Sequence, residues 1–277
     1  MIYENKIYDE ERALYNIEDS EVISCTFAGP ADGESALKEC NNIKVDSCLF
    51  ELRYPFWHVS NAKISNVTMT DTCRAALWYD DGITVMQSKL CGIKALRECK
   101  NITLDDCDID SEEFGWRCSD ISIKNSRLNS MYPFFECKNM KIDALTMKGK
   151  YSFQYIENVE IKNSVLKTKD AFWHAKNVTV YDSVIEGEYL GWYSENLKLV
   201  RCHIKGTQPL CYCKKLILED CTCESCDLSF ERSEVKATIK GNVVSIKNPV
   251  AGYISADSIG EIILDEKFKN TPCVIIC

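Results

Sequence analysis

The chain repeats itself every 19 residues, and this period limits the possible folds more than any other feature of the sequence. The segment ALKECNNIKVDSC at 36–48 returns as ALRECKNITLDDC at 95–107, three repeats later. With Asn101 as the reference residue, the same position recurs at a constant step, except for one repeat that is two residues longer. We call these eleven positions the reference column: Asn42, Asn61, Gly82, Asn101, Asp120, Asn139, Asn158, Asn177, Asn196, Lys215 and Glu234.

Each repeat shows the alternation of a short strand with one buried face. Aliphatic residues stand one and three positions after the reference residue, as in Ile102 and Leu104. Short strands, recurrent turn asparagines and almost no helical pattern are typical of a parallel β-helix, in which each repeat forms one coil. The sequence therefore predicts an all-β fold, a single-stranded right-handed parallel β-helix of about eleven coils with terminal caps. Stacked asparagines would join their side-chain amides in a ladder along one turn.

We expect residues 1–277 to form a single β-helix domain. Residues 1–36 are predicted to hold an N-terminal cap and the first coil, with a short helix at 9–15. The regular coils are expected at 37–242. Residues 243–277, where the period is lost, are expected to close the other end, because the ends of a solenoid must be covered.

Composition argues against several classes of partner. The net charge of −9 disfavours nucleic acid and anionic membrane surfaces, since both select basic proteins. The first residues lack the apolar core of a secretion signal, and no apolar run is long enough to span a bilayer. Seventeen cysteines without an export signal fit reduced thiols better than a disulfide framework. We therefore expect a cytoplasmic protein without nucleic-acid or membrane partners, while a homo-oligomer stays possible.

The column three residues before the reference position is polar in every coil, and we call it the outer polar column. Alternation places it outside, and it places the mostly small residues of the next column, here called the inner small column, inside. The outer polar column comprises Glu39, His58, Tyr79, Glu98, Arg117, Glu136, Tyr155, His174, Tyr193, Tyr212 and Glu231.

Two interpretations of the outer polar column stay open. Glu98, Arg117 and Glu136 on consecutive coils form an acid–base–acid ladder if the face is only solvated. If the face is an active site, Glu98 and Glu136 would stand roughly 9.5 Å apart, near the upper limit for an inverting carboxylate pair. His174 and Tyr155 are then the candidates for proton transfer.

The same face carries candidates for ligand binding. Aromatic side chains with polar tips suit sugar rings, nucleobases or a protein partner, and basic residues rim this face. The sequence predicts that a small molecule, in particular a sugar or sugar conjugate, contacts Arg53, His58, Arg74, Tyr79, Lys94, Arg117, Trp173, Trp192, Tyr193 and Tyr212.

All five tryptophans lie in one column, four residues before the reference position, which we call the tryptophan column. Strict alternation sends this column inward, yet Lys38, Arg97 and Gln154 occupy it in other coils and make poor core residues. Either the column is core with local exceptions, or the chain turns a corner there and the indoles face outward.

Neither a metal centre nor a cofactor is predicted. His58 and His174 share a column but lie six coils apart, roughly 29 Å at strand spacing, and His203 belongs to another face. The cysteines between 211 and 226 fit core packing better than tetrahedral zinc binding. Phosphate-loop, dinucleotide-binding, GxSxG and HExxH motifs are lacking.

The turn-rich loop and the segments around the tryptophan column together give the chain a close resemblance to a known family. The segments that carry it are FAGPADGES, RYPFWH, RAALWY, KALREC, KYSFQY, DAFWHAKNVTVYDS, EYLGWYSENL and TQPLCYC, between 27 and 213. With them the chain resembles, from about residue 8 to 265, a bacterial family known as domain of unknown function 3737. The resemblance implies a right-handed β-helix and a non-secreted protein, and it brings no activity, substrate or catalytic residue.

Two functions from different classes follow from these observations. The leading hypothesis is a cytoplasmic β-helix whose Trp/Tyr/His/Glu face binds a ligand, with acid/base chemistry as a further option. The alternative is a non-enzymatic interaction or scaffold module that uses the same aromatic face, because tryptophan and tyrosine are common interface anchors. Whether the protein is an enzyme is left open.

Overall fold

The computed structural model describes residues 1–31 and 33–277, so Asp32 of the predicted 27–35 loop lies outside the described residues. The chain divides into two compact units, Met1–Met140 and Lys141–Cys277. Both consist of short parallel strands, and the described residues contain only two 3-10 helices, Asp71–Cys73 and Glu266–Phe268. Neither is long and apolar enough to cross a membrane. The all-β parallel β-helix predicted from the period is confirmed.

The strands of the first unit are two to six residues long. In chain order they are β1 (Ile2–Glu4), β2 (Ile7–Tyr8), β3 (Glu18–Ile23), β4 (Thr26–Phe27), β5 (Asn41–Asp46), β6 (Leu49–Phe50), β7 (Phe56–Trp57), β8 (Ser60–Ser65), β9 (Thr68–Met69), β10 (Leu77–Trp78), β11 (Asp81–Met86), β12 (Lys89–Cys91), β13 (Leu96–Arg97), β14 (Lys100–Asp105), β15 (Asp108–Asp110), β16 (Ser119–Lys124) and β17 (Arg127–Ser130). β18 (Lys138–Asp143) contains the boundary between the units.

The first unit has three strand-bearing faces. β1, β3, β5, β8, β11, β14 and β16 pair in parallel in that order on one face. β2, β4, β6, β9, β12, β15 and β17 do so on the second. The short strands β7, β10 and β13 form the third face, which carries the tryptophan column. Registers such as Ile83↔Ile102↔Ile121 place like residues above one another.

The second unit has fewer and, toward its C-terminus, longer strands. They are β19 (Thr146–Lys150), β20 (Glu157–Lys162), β21 (Val165–Lys169), β22 (Lys176–Tyr181), β23 (Val184–Glu186), β24 (Glu195–Val200), β25 (His203–Lys205), β26 (Leu216–Glu224), β27 (Glu234–Lys247), β28 (Ala251–Ile263) and β29 (Val274–Ile276). β20, β22 and β24 stack in parallel on one face and β19, β21, β23 and β25 on another. Both stacks reach β26, and β27 to β29 continue the parallel pairing.

The solenoid has about 14 turns, more than the eleven predicted, because the terminal segments also form coils. β1 and β2 pair with β3 and β4, and the segment 9–15, where a short helix was predicted, contains a bend and turns and no helix. At the other end β27 and β28 stay in parallel register despite a shift between Ile239 and Asn242. The loss of the 19-residue period after 242 therefore marks longer strands and a register shift.

Each regular coil turns at three residues that adopt a left-handed backbone. In the coil around Asn101 they are Glu98 (φ 54°), Asn101 itself (φ 52°) and Asp106 (φ 54°). Asparagine and aspartate tolerate this conformation better than most residues, which explains the reference column. The predicted amide ladder is present. Asn177 Nδ2 donates to Asn158 Oδ1 (3.1 Å), and Asn196 Nδ2 donates to the Oδ1 of Asn177 (2.9 Å).

The core is filled by stacked aromatic and aliphatic side chains. Phe27 and Phe50 in the first unit stack with ring centroids 4.6 Å apart, and Phe153 and Phe172 in the second unit are 5.1 Å apart. All four are fully buried. The cysteines are free thiols, most of them buried, so they serve here as small core residues.

Candidate functional site

The third face of the first unit places two consecutive columns outside, and this decides where the tryptophans lie. Leu77 points inward and Trp78 outward by ordinary strand alternation. Tyr79 then has a left-handed backbone (φ 57°), which keeps its side chain outside at 43% exposure, and Asp80 returns to the interior at 1%. All five tryptophans are half-buried. The chain thus turns a corner here, as the second interpretation of the tryptophan column proposed.

The tryptophan column also closes the turn of the following coil through its polar atoms. The indole Nε1 of Trp173 donates to the carbonyl oxygen of Tyr189 at 2.8 Å. Gln154 Nε2 makes the corresponding bond to the carbonyl of Asp170 at 3.4 Å, which explains how a glutamine can replace a tryptophan here. Equivalent bonds run from Trp116 to Tyr132 and from Trp192 to Gln208. The buried indole nitrogens of Trp57 and Trp78 make no hydrogen bond within the part of the chain that the structure describes.

Aromatic rings of neighbouring coils stack on this face of the first unit. The rings of Trp57 and Trp78 are 5.4 Å apart and nearly parallel, and those of His58 and Tyr79 are 5.1 Å apart. The ammonium group of Lys38 lies 4.2 Å from the centre of the Trp57 ring, a cation–π contact. The polar tips of the outer polar column therefore line up along one edge of the coils.

A cleft of about 230 Å³ opens beside this stack. Its aromatic surface comes from Tyr54 and Trp78, whose ring centroids are 5.8 Å apart. Three basic side chains, Arg74, Lys94 and Arg97, surround that surface, although the chain as a whole has a net charge of −9. The complete lining is Tyr54, Arg74, Ala75, Trp78, Ile93, Lys94 and Arg97.

The basic residues of the cleft differ in how far they are already neutralised. Glu113 Oε2 lies 3.5 Å from Lys94 Nζ and 3.6 Å from Arg97 Nη1, and Arg97 also approaches Glu98 at 3.3 Å. Arg74 makes no ion pair within the described residues, and its side chain is exposed. The guanidinium of Arg74 is therefore available to an anionic group that enters the cleft.

The two candidate catalytic carboxylates share one arginine. Arg117 Nε donates to Glu136 Oε2 at 2.8 Å, and Arg117 Nη1 lies 3.8 Å from Glu98 Oε1. Burial acts to raise the pKa of Glu98, but the Tyr79 hydroxyl and the guanidinium groups of Arg97 and Arg117 outweigh it and hold that pKa below its usual value. The guanidinium occupies the space between the carboxylates, where an inverting pair would need a water molecule.

One carboxyl group beneath this face is buried in the core. Asp80 stands in the inner small column, where most other coils have cysteine or another small residue. Its Oδ1 accepts a hydrogen bond from the backbone N–H of Val59 at 2.8 Å, whereas Oδ2 is buried and has no partner within the described residues. Burial raises the pKa of Asp80 well above its usual value. The group is inaccessible to a ligand on the outer face.

The second unit carries a different arrangement, a continuous ladder of aromatic rings. Tyr155 and His174 are 4.9 Å apart, His174 and Tyr193 are 5.1 Å apart, and Tyr193 and Tyr212 are 4.9 Å apart, with interplanar angles of 7°, 8° and 12°. Behind them Trp173 and the neighbouring Trp192 stack at 5.5 Å. Because His174 and Tyr193 have both ring faces covered, these two inner rings offer only their edges and polar tips to a ligand.

The structure thus divides the predicted site residues into several environments. Arg74 and Lys94 line the cleft, and Tyr79 and His58 form the stack beside it. Arg53 lies 3.5 Å from Glu34 in an ion pair. Glu98, Arg117 and Glu136 form the ion-pair ladder of the first unit. Tyr155, Trp173, His174, Trp192, Tyr193 and Tyr212 belong to the second unit.

Five residues that line the cleft are missing from the predicted ligand-binding set: Tyr54, Ala75, Trp78, Ile93 and Arg97. Arg97 departs from the aromatic character of its column, and this departure is the signal that could have identified it. Tyr54 and Trp78 approach each other where one coil is two residues longer. The sequence reveals the longer coil, but it does not reveal that a cleft forms there.

The other cavities and side-chain clusters lack the combination of aromatic and basic lining residues found in this cleft. An open groove of about 610 Å³ in the first unit has an acidic lining that includes Asp71, Asp110 and Glu112. A cavity of about 430 Å³ in the second unit lies against Leu197, Leu216 and other non-aromatic residues. Among the described residues, no three His, Cys, Asp or Glu side chains are placed to hold a metal ion.

Comparison with solved structures gives distant β-helices. The adhesin PfbA of Streptococcus pneumoniae is 12% identical, over 92% of this chain and 72% of that chain, with a TM-score of 0.39. A hyperthermoactive exopolygalacturonase from Thermotoga maritima is 9% identical, over 99% and 84%, at 0.34. The tailspike protein of E. coli bacteriophage HK620, solved with a pentasaccharide, is 9% identical, over 94% and 60%, at 0.33. Because the sequence identities and TM-scores are this low, these similarities give no information about a ligand of this chain.

Comparison with protein-family models identifies the family of the chain. No curated protein sequence matches the chain. The family model described as protein of unknown function (DUF3737) matches residues 1–276, almost the whole length. The repeat, the corner tryptophans and the stacked outer columns described above all lie within this match. The chain therefore belongs to the DUF3737 family.

Proposed function

We propose that the protein binds an anionic sugar or sugar conjugate in the cleft of the first unit. The observation that carries the proposal is the pairing of an aromatic surface, Tyr54 and Trp78, with a basic rim. Sugar rings pack their C–H faces on aromatic side chains, and guanidinium groups bind carboxylates and phosphates with two parallel hydrogen bonds. Arg74, which makes no ion pair among the described residues, is the group we assign to the anion.

The size of the cleft limits the ligand. Its volume of about 230 Å³ is smaller than the roughly 300–1,000 Å³ of pockets for drug-sized molecules. One charged ring fits such a volume, and a longer ligand would extend along the side chains of Trp57, His58 and Tyr79. The ligand class is therefore a uronic acid, a sugar phosphate or a nucleotide-linked sugar.

Binding is better supported than catalysis. Glu98 has a lowered pKa and is ionised at neutral pH, so it is a poor proton donor. Glu136 is engaged by Arg117 at 2.8 Å. The arrangement therefore favours the acid–base–acid ladder for these residues, and we assign no acid/base step to them. We also propose the cytoplasm as the site of action, because seventeen cysteines fit reduced thiols better than a disulfide framework.

Calorimetric titration of the protein with uronic acids, sugar phosphates and the matching neutral sugars tests this proposal. We expect binding of at least one anionic series and at least about tenfold weaker binding of its neutral counterpart, since hydrogen bonds to charged groups contribute roughly 1.5–3 kcal/mol. The substitution Arg74→Gln should weaken the anionic ligand by a similar factor.

The matched control for Arg74→Gln is Arg127→Gln. Arg127 is an exposed arginine on β17 of the same unit and lies outside the cleft. Equal loss of affinity in both variants would indicate a general charge effect and contradict the cleft. Equal affinity for charged and neutral sugars would contradict the role of the basic rim.

A further inference from the structure

The aromatic ladder of the second unit is bordered by a ladder of alternating charges. Two residues after each ladder ring, the chain places Glu157, Lys176, Glu195 and Lys214. Successive members are register partners in neighbouring parallel strands, so they line up along the stacking direction. The equivalent column of the first unit has no such alternation along its length: it reads Asn41, Ser60, Asp81, Lys100, Ser119 and, at the unit boundary, Lys138.

Three of these four charged residues form no ion pair with a neighbour in the described part of the chain. Among the described residues, Lys176, Glu195 and Lys214 make no ion pair within 4.0 Å. Lys176 and Lys214 are exposed, and the two glutamates are half-exposed. The face thus combines four stacked rings, two carboxylates and two ammonium groups, and the charges of these four residues sum to zero in a chain of net charge −9.

A two-fold operation matches this face to itself. If the axis lies in the interface, parallel to the strands and midway between the coils of Lys176 and Glu195, it reverses the coil order and keeps each column opposite its own copy. Glu157 then meets Lys214 of the second copy, and Lys176 meets Glu195, each twice by symmetry. Four opposite-charge contacts result, with no like-charge contact.

The alternation also excludes the neighbouring register. An axis through the coil of Lys176 would place Lys176 opposite itself and Glu157 opposite Glu195, which are both like-charge contacts. Like charges brought together in an interface strongly disfavour that arrangement. The alternation therefore excludes registers whose axis passes through one of these coils. Among registers whose axis lies midway between two coils, only the one between Lys176 and Glu195 gives all four residues an opposite charge in the second copy.

The same axis pairs the tips of the aromatic ladder. Tyr155, half-exposed at 50%, meets Tyr212, and His174 meets Tyr193, which is 47% exposed. A tyrosine hydroxyl both donates and accepts a hydrogen bond, and an imidazole has one nitrogen for each role. Polar-tipped aromatic side chains are also the commonest anchors of protein interfaces.

We infer that the protein forms a two-fold symmetric dimer through this face of its second unit, with a second copy of the chain as the partner. The inference rests on the second unit alone and does not depend on the sugar-binding cleft.

Analytical ultracentrifugation of the full chain over a range of concentrations tests the dimer. We expect twice the mass of the chain at high concentration and reversible dissociation on dilution. Lys176→Glu should raise the dissociation constant at least about tenfold, since it creates two like-charge contacts. Lys148→Glu, the same charge change at an exposed residue of β19 outside the face, should leave it unchanged.

The double variant Lys176→Glu with Glu195→Lys separates the dimer from effects within one chain. Across the two-fold axis it restores both opposite-charge contacts, although within one chain the column then reads Glu, Glu, Lys, Lys. We expect it to recover the dimer that each single variant loses, with thermal unfolding confirming that all three variants are folded. A wild-type monomer at every concentration, or a double variant as weak as the singles, would overturn the inference.

Discussion

At the scale of single residues, the most unusual side chain is Asp80. The equivalent positions of the following coils are Cys99, Cys118 and Cys137, whose thiols act as small core residues. Cys118 Sγ accepts a hydrogen bond from the backbone N–H of Cys99, as Asp80 Oδ1 does from Val59. Asp80 thus replaces a neutral acceptor with a carboxyl group. In the core this group must either be protonated or carry a negative charge without water around it.

The buried carboxyl group of Asp80 should make the stability of the protein depend on pH. Its pKa is raised by burial above the value of 3.8 usual for aspartate, so the folded state binds the proton more tightly than the unfolded state. The free energy of unfolding should then decrease as the pH rises from about 4 toward the folded pKa, by about 1.4 kcal/mol for each pH unit that separates the folded from the unfolded pKa. Asp80→Asn should remove this decrease and be the more stable form at neutral and higher pH.

Urea unfolding of both proteins between pH 4 and pH 8 measures this effect. Asp106→Asn is the matched control, because Asp106 is exposed in the same unit and has an unburied carboxylate. A wild-type profile parallel to that of Asp80→Asn across this range would show that the carboxyl of Asp80 is not desolvated.

At the scale of one coil, the corner is the element that gives a regular repeat two adjacent outward-facing columns. A left-handed residue inserted between two strands leaves two successive side chains outside and returns the next one to the core. The polar atom of the tryptophan column then bonds to a carbonyl of the following coil. The choice of residue in this column is therefore partly a hydrogen-bonding requirement, and packing alone does not explain it.

Trp173→Phe should destabilise the protein more than Trp57→Phe, by about 1 kcal/mol, because only the first change removes a hydrogen bond. The two indoles are alike in burial and stacking: each is half-buried and stacks on one neighbouring tryptophan, at 5.5 Å for Trp173 and 5.4 Å for Trp57. Trp57 has in addition a cation–π contact with Lys38, which a phenylalanine ring would keep in weaker form, so this contact works against the expected difference. Trp173 Nε1 donates to the carbonyl of Tyr189, whereas the Nε1 of Trp57 has no partner among the described residues.

Chemical denaturation of Trp173→Phe and Trp57→Phe measures how much free energy of unfolding each variant loses. Equal losses of stability would mean that the indole nitrogen contributes nothing and that ring packing alone determines the column. A larger loss for Trp57→Phe would contradict the hydrogen-bond explanation.

At the scale of the whole molecule, the cysteines report on the integrity of the coils. Fourteen of the seventeen are buried, Cys91 and Cys223 are half-buried, and Cys277 is exposed. Burial raises the pKa of the Cys40 thiol to about 11 and that of Cys73 to about 12, so these thiols are both inaccessible and unreactive at neutral pH.

Reaction of the native protein with a thiol reagent should therefore show one fast group, two slow ones and fourteen that react only on unfolding. Denatured protein should react at all seventeen positions, and Cys277→Ser should remove the fast phase. Rapid reaction of many thiols in the native state would show that the coils open locally, contrary to the continuous parallel pairing of the strands.

The repeat pattern of the sequence is sufficient to predict the coil. A 19-residue period with aliphatic residues at fixed offsets can bury its apolar face only by stacking each repeat on the next, and asparagine marks the turn because it tolerates a left-handed backbone. The ends were harder to predict, since the terminal coils keep parallel pairing after the sequence has lost its period.

Which columns face outward, and where they form a cleft, depends on the three-dimensional stacking of the coils. Glutamate, histidine and tyrosine give no sequence sign that they will adopt a left-handed backbone, so strict alternation wrongly suggested an inward tryptophan column. Tyr54, Arg74 and Lys94 come together because the backbone of each coil hydrogen-bonds to the next, as Lys94 N does to Arg74 O at 2.8 Å. Contacts across coils depend on the stacking register, and no single repeat contains that information.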